Sequence, residues 1–255
     1  MTILHYLDPN PAGRVPVLLL HGLGANSTSW TLQLPSLIAG GFRPITPDAS
    51  GFGKSPYDGK GWSIRRCAIE TVALLEELLT TPAHVVGISM GGTIAQQIAL
   101  DSPQMVGKLV LVNTFAILRP VTFSGWFYFL QRLILVHTLG LSSQARFVAR
   151  RIFPRPEQDE IRQILIESIT SADPRAYRAA MRALGLFNSM GRLVEIKAPT
   201  LVVTSENDTT VPPVHQQLLV EGIPGAQQVI IPGAGHAVSV DSPEVFNREL
   251  LEFLK

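Results

Sequence analysis

Ser89 lies at the centre of Gly87-Ile88-Ser89-Met90-Gly91, a G-x-S-x-G pentapeptide between an apolar run over 84–88 and a helix-like stretch over 91–100. A chain that reverses sharply from strand to helix strains the residue at its apex. Glycines two positions to either side let the flanking segments approach closely. A serine there is presented at the sheet edge, with a helix N-terminus behind it that favours developing negative charge. Serine alone is a weak nucleophile and needs a base. Of the six histidines, His236 in Gly233-Ala234-Gly235-His236 directly follows an apolar run over 229–231, which places it at the same edge as Ser89. The base needs an orienting acid, and Asp208 follows the run over 200–204 in Ser205-Glu206-Asn207-Asp208. Glu206 on the same loop is the second choice of acid. Asn113 also ends an apolar run, but an amide cannot serve as the acid. Asp48 opens the loop 48–55 and reads as part of a structural turn. His21 precedes Gly22 and reads as a structural residue of its loop. Attack on a carbonyl would create an oxyanion that needs N–H donors. Met90, directly after the serine, supplies one, and Leu23 in His21-Gly22-Leu23-Gly24 is the candidate for the other. None of these residues calls for a metal or a cofactor.

The elements that must position these groups are visible as alternation. Apolar strand-like runs at 15–20, 43–47, 84–88, 109–112, 200–204 and 229–231 are separated by helix-like stretches at 31–39, 63–79, 91–100 and 243–254. Ser63 reads as the cap of the second stretch, and Asp241 or Ser242 as the cap of the last. Strands buried on both faces should be largely apolar, and these are, with Arg43 and Thr46 the exceptions in the second. The pattern predicts an α/β fold with a mostly parallel, doubly wound sheet. From 115 to 190 no strand is evident and the pattern is helical, so this stretch reads as a helical insertion in a core formed by 1–114 and 191–255. The insertion holds ten arginines against five acids, a formal charge of +5, while the whole chain carries +1.

A near-neutral chain gives no electrostatic case for nucleic acid. The greasiest segment, 121–141, contains Gln131, Arg132 and His137, which argues against a stable membrane span. The single cysteine, Cys67, excludes an intrachain disulfide and suggests a reducing, cytoplasmic setting. The first ten residues lack the pattern of a secretion signal.

Taken together, HGLG at 21–24, DASGFGKS at 48–55, GISMGG at 87–92, SEND at 205–208 and GAGH at 233–236 resemble the α/β-hydrolase superfamily, in its serine-nucleophile esterase and lipase-like branch. The resemblance spans residues 15–254. The order Ser89, Asp208, His236 is the order that the superfamily uses. The resemblance implies an eight-stranded sheet, a catalytic triad and a helical cap corresponding to 115–190. The sequence departs from the pattern at Ser205, where glycine is common, at Ser50, where arginine or proline is common, and in a short N-terminal segment that leaves the first one or two strands missing or abbreviated. The expected activity is hydrolysis of esters of apolar small molecules. Trp126, Phe127, Tyr128, Phe129, Leu130, Leu133 and Ile134 are candidate contacts for an apolar group. Lactonases, carbon–carbon bond hydrolases and cofactor-free haloperoxidases share the triad. A non-catalytic binding module on the same fold is the competing class.

Overall fold

The computed structural model describes residues 4–78, 82–118 and 123–255. Its centre is a sheet of β1 (Tyr6–Leu7), β2 (Val15–Leu20), β3 (Phe42–Pro47), β4 (Ala83–Ile88), β5 (Val106–Val112), β6 (Thr200–Ser205) and β7 (Gln227–Ile231). The spatial order is β1-β3-β2-β4-β5-β6-β7. Only β1 runs antiparallel to its neighbour.

The apolar runs explain the layering. Side chains alternate across a strand, so Leu18 and Leu20 of β2 join the core on one face while Val17 and Leu19 join the core on the other. Leu109 and Leu111 of β5 pair with Val110 and Val112 in the same way. The first face is covered by α2 (Ile64–Leu78) and α3 (Met90–Asp101), the second by α1 (Leu34–Ala39) and α10 (Pro243–Leu254). The fold is therefore a doubly wound α/β sheet. In α2, Ile64, Cys67, Ala68, Thr71, Leu74 and Leu75 recur at helical spacing and are buried. The Ser63 hydroxyl accepts the Arg66 N–H at 3.1 Å and caps this helix as the sequence predicts. α10 starts at Pro243 after Ser242, but that serine makes no side-chain cap bond, and Asp241 ends the short α9 (Val238–Asp241) instead.

Among the described residues the sheet has seven strands, one fewer than the eight that the resemblance implies, and β1 is only two residues long, as the short N-terminal segment suggests. Residues 8–14 contain Pro9 and Pro11 and close a turn, with the Gly13 N–H donating to Asn10 O at 2.9 Å. Two other differences are local. The helix read over 31–39 begins at Leu34, after a 3-10 turn over Ser27–Trp30. An additional helix, α8 (Pro213–Gly222), follows β6.

Between β5 and β6 lie α4 (Phe123–Thr138), α5 (Gly140–Ile152), α6 (Asp159–Ser171) and α7 (Pro174–Leu186). The two ends of this segment meet at an isolated antiparallel bridge between Ile117 and Asn188. Of the apolar α4 residues, Phe127, Leu130 and Ile134 are exposed, whereas the side chains of Trp126, Tyr128, Phe129 and Leu133 lie outside the described part of the chain. Among the described residues no helix is long and apolar enough to cross a membrane.

Candidate active site

Register brings the loops together. Gly87 pairs with Leu20 and Leu111, Val112 with Ile88 and Val203, and Ser205 with Ile231. The C-terminal ends of β2, β4, β5, β6 and β7 therefore share one edge, where open α/β sheets bind ligands. His21–Gly24, Ser89, Asn113, Ser205–Asp208 and Gly233–His236 all leave from it.

Ser89 occupies the strand-to-helix apex with φ 53° and ψ −114°, a strained conformation for a residue with a side chain. The glycines around it have no alternative. A Cβ on Gly87 would stand 2.3 Å from Gly91 O, and one on Gly91 would stand 2.1 Å from Leu20 O. The turn is held by Ser89 N–H to Val112 O at 3.0 Å, Gly92 N–H to Ser89 O at 3.0 Å and the Thr114 hydroxyl to Ser89 O at 2.7 Å. α3 begins at Met90, directly behind the serine.

His236 and Asp208 meet: Nδ1 of the histidine is 2.7 Å from Oδ2 of the aspartate. Oδ1 of Asp208 accepts the N–H groups of Thr210 at 2.8 Å and Val211 at 2.9 Å. The buried carboxylate is thus fully occupied, with Oδ2 left for the histidine alone. The other ring nitrogen, Nε2, is not engaged by Asp208. Glu206 does not compete, because its carboxylate accepts the Gly233 N–H at 2.9 Å and so ties the acid loop to the histidine loop. Asn113 is directed at backbone groups and Ser205, not at the His236 ring.

The His21–Gly24 loop borders Ser89: a Cβ on Gly22 would be 3.6 Å from Ser89 Cβ. Among the described residues the Leu23 and Met90 N–H groups donate no hydrogen bond. His21 is structural, as its sequence setting suggests. Its Nε2 accepts the Ala49 N–H at 3.0 Å, so Nδ1 carries the proton and donates to Gly22 O at 2.8 Å. Burial holds its pKa below the ordinary value, which keeps the ring neutral.

Asp48 is also structural. It accepts the Ser27 N–H at 2.6 Å and the Lys54 N–H at 2.9 Å, and His5 Nδ1 lies 2.8 Å away. Burial alone would raise its pKa, but the N–H groups of Lys54 and Ser27 bring it below the usual carboxylate value. The departure at Ser50 has a partner too: its hydroxyl donates to Glu70 at 2.6 Å, and Glu70 pairs with Arg66 at 2.9 Å.

α5–α7 reach the site loops directly. The Ser168 hydroxyl donates to Gly24 O at 2.8 Å, and a Cβ on Gly24 would strike Ile169 Cγ1 at 2.5 Å. Arg151 donates to Thr209 O, next to Asp208. Gln158 donates to Asp241 at 3.0 Å, close to the histidine loop. Burial pushes the Asp241 carboxyl up. An open cleft of about 350 Å³ between α6 and Asp241, lined by Phe153, Arg155, Gln158 and Ile161, includes none of Ser89, Asp208, His236, Leu23 or Met90. Among the described residues no cluster of His, Cys, Asp and Glu is arranged to hold a metal.

A parallel sheet that presents a strained serine, a histidine–aspartate pair and two unused N–H groups at one edge has the architecture of an α/β-hydrolase. The model of the alpha/beta hydrolase family matches residues 17–249, and the chain belongs to that family. A protein of Variovorax paradoxus (strain S110) named as carbamate hydrolase RutD is 36% identical, covering 98% of this chain and 96% of that protein. The structure of a hydrolase from Pseudomonas aeruginosa PA01 is similar with a TM-score of 0.89 at 27% identity, covering 98% of this chain and 94% of that one. A thermophilic esterase from Thermogutta terrifontis is similar with a TM-score of 0.83 at 28% identity, covering 98% of this chain and 92% of that one.

Proposed function

We propose that the protein is a serine hydrolase that cleaves carboxylic esters of apolar small molecules through an acyl-enzyme. The observation that carries this reading is the 2.7 Å contact between His236 and Asp208 at the sheet edge where Ser89 takes its strained turn. Ser89 Oγ attacks the ester carbonyl while His236 Nε2 takes its proton. Asp208 holds the ring in the Nδ1–H tautomer and stabilises the imidazolium. The Leu23 and Met90 N–H groups receive the oxyanion, helped by the N-terminus of α3. His236 then gives the proton to the leaving alcohol and draws one from water, which attacks the acyl carbonyl and frees Ser89.

In this reading residues 115–190 form a cap over the site, and Phe127, Leu130 and Ile134, exposed on α4, meet the substrate. No cofactor or metal enters the cycle. The setting is cytoplasmic. A second reading, hydrolysis of carbamates, is favoured by the 36% identity to a protein named for that activity. A carbamate offers the same trigonal carbonyl to the same serine, so only substrate preference separates the two. Saturation kinetics on 4-nitrophenyl butyrate and a 4-nitrophenyl carbamate, with wild type and Ser89→Ala, tests both. The larger kcat/KM decides between them. Turnover that survives in Ser89→Ala, or no turnover on esters, carbamates, lactones and vinylogous diketones, refutes the serine-hydrolase reading.

A further inference from the structure

Two features singled out in the sequence remain without a role in that cycle. One is Asn113, an amide at a strand end. The other is Ser205, which stands where the family commonly has glycine. They are each other's partners. Asn113 Nδ2 donates to Ser205 Oγ at 2.8 Å, and Asn113 Oδ1 accepts the Ser205 N–H at 2.9 Å. The second bond fixes the orientation of the amide, because a backbone N–H can only face the oxygen. Nδ2 also donates to His236 O at 2.8 Å and lies 3.3 Å from Gly235 O. Both Asn113 and Ser205 are fully buried. Asn113 has φ 43°, and Ser89 is the only other described non-glycine residue with positive φ.

We propose, on the serine-hydrolase reading above, that Asn113 is a positioning residue that sets the separation of acid and base, with Ser205 as its partner. The links form a closed circuit. Asn113 holds Ser205, the turn from Ser205 leads to Asp208 with the Asp208 N–H bonded to Ser205 O at 3.3 Å, Asp208 holds the His236 ring, and the carbonyl of His236 returns to Asn113. In such a circuit the acid loop cannot move against the base loop without breaking a buried hydrogen bond. The nucleophile is tied to the same stretch, since Val112 O accepts the Ser89 N–H and the Thr114 hydroxyl donates to Ser89 O. Residues 112–114 thus bond directly to the backbone of Ser89 and His236, and reach Asp208 through Ser205. Asparagine is suited to the place on two counts: it tolerates positive φ, and it both donates and accepts at a fixed spacing. An aspartate of the same size could accept from Ser205 but could not donate to His236 O.

The test is steady-state kinetics on the ester or carbamate that the wild type turns over, using full-length wild type, Asn113→Gly, Asn113→Asp, Ser205→Ala and Ser89→Ala, at pH 7.5 and well below each melting temperature. Asn113→Gly keeps the backbone conformation accessible and removes the amide. It is expected to lower kcat by about tenfold to a hundredfold, the scale of an ångström-sized misplacement, with KM changed less than about twofold. Asn113→Asp is expected to lose a comparable factor, and Ser205→Ala a smaller one. A residue that only filled space would be rescued by the isosteric aspartate. Wild-type kcat in Asn113→Asp, or in a folded Asn113→Gly, overturns the proposal while an inactive Ser89→Ala leaves the serine-hydrolase reading standing. If Asn113→Gly does not fold, Asn113→Asp carries the test alone. Full turnover in Ser89→Ala removes both.

Discussion

Replacing Asp208 by asparagine should abolish most turnover without unfolding the site, and the hydrogen bonds say why. Asp208 Oδ1 accepts two backbone N–H groups, from Thr210 at 2.8 Å and Val211 at 2.9 Å, while Oδ2 faces His236 Nδ1 at 2.7 Å. An asparagine has one oxygen to satisfy these demands. Two N–H donors in a buried loop outweigh one ring contact, so the oxygen stays with Thr210 and Val211 and the amide NH₂ turns to His236. Nδ1 must then accept, and the proton moves to Nε2, the nitrogen that should take the serine proton. The expected loss in kcat is on the order of 10⁴-fold, the cost of a wrong tautomer in a triad of this kind, or about 5.4 kcal/mol. KM should be nearly unchanged. Glu206→Gln is the control: the amide oxygen can still accept the Gly233 N–H that Glu206 binds at 2.9 Å, so kcat should stay within about twofold, as for an exposed substitution that keeps its bond. Saturation kinetics on the preferred nitrophenyl substrate reads both. If Asp208→Asn retains more than about a tenth of wild-type kcat, a loss far below that tautomer cost, the hydrogen-bond reasoning fails. If Glu206→Gln instead collapses, the acid has been assigned to the wrong residue.

Gly91→Ala should destabilise the fold as well as the site, because its Cβ would stand 2.1 Å from Leu20 O. A loss of about 1–3 kcal/mol or more is expected from such overpacking, and an unchanged urea midpoint would refute the steric account of the elbow. His21, His84 and His215 are all held below the ordinary 6.5 by burial, so the unfolded chain gains protons before the folded one as pH drops through that value. Stability should therefore be highest above pH 6.5 and fall below it, by up to about 1.4 kcal/mol per pH unit for the buried His21. Asp241, raised by burial, acts in the opposite sense, so Asp241→Asn should show the steeper loss. Equal urea midpoints at pH 7.5 and 5.5 in both chains would contradict a neutral His21. Cys67 is buried, and burial pushes its thiol pKa up. It should not react with an aromatic disulfide reagent in the native protein and should react as one thiol in urea; rapid native labelling would mean that α2 opens.

What was legible in the sequence follows from how directly a residue reports its own environment. Ser89, Asp208 and His236 each follow a continuously apolar run, and such a run in a parallel sheet fixes which edge its C-terminal loop must join. Asp208 outranked Glu206 on position in the chain, and the structure gives each carboxylate a different partner. α8 was missed because its buried residues include His215 and Gln216 beside Leu219, so the apolar period that reveals a helix is absent. β1 is two residues long and too short to show any period. The pairing of Asn113 with Ser205 could not be read at all. It depends on the β5–β6 register and on an amide reaching across 92 residues of chain, and no local pattern carries that information.

The core and the helical segment divide the work unevenly. The side chains at the sheet edge are spent on one another: Asp208 on His236 and two N–H groups, Glu206 on Gly233, Asp48 on its own turn, His21 on Ala49 and Gly22. On the proposed serine-hydrolase reading, this sets the chemistry and leaves little at that edge to distinguish one acyl or alcohol group from another. The contacts from α5–α7 run to the loops that hold Leu23, Asp208 and His236, through Ser168, Arg151 and the Gln158–Asp241 pair. A ligand that displaces α6 would pull on Gly24 O through Ser168, and hence on the backbone next to Leu23. Substitutions along α5–α7 should therefore move kcat as well as KM, because the elements free to vary with substrate are bonded to the loops that must not move.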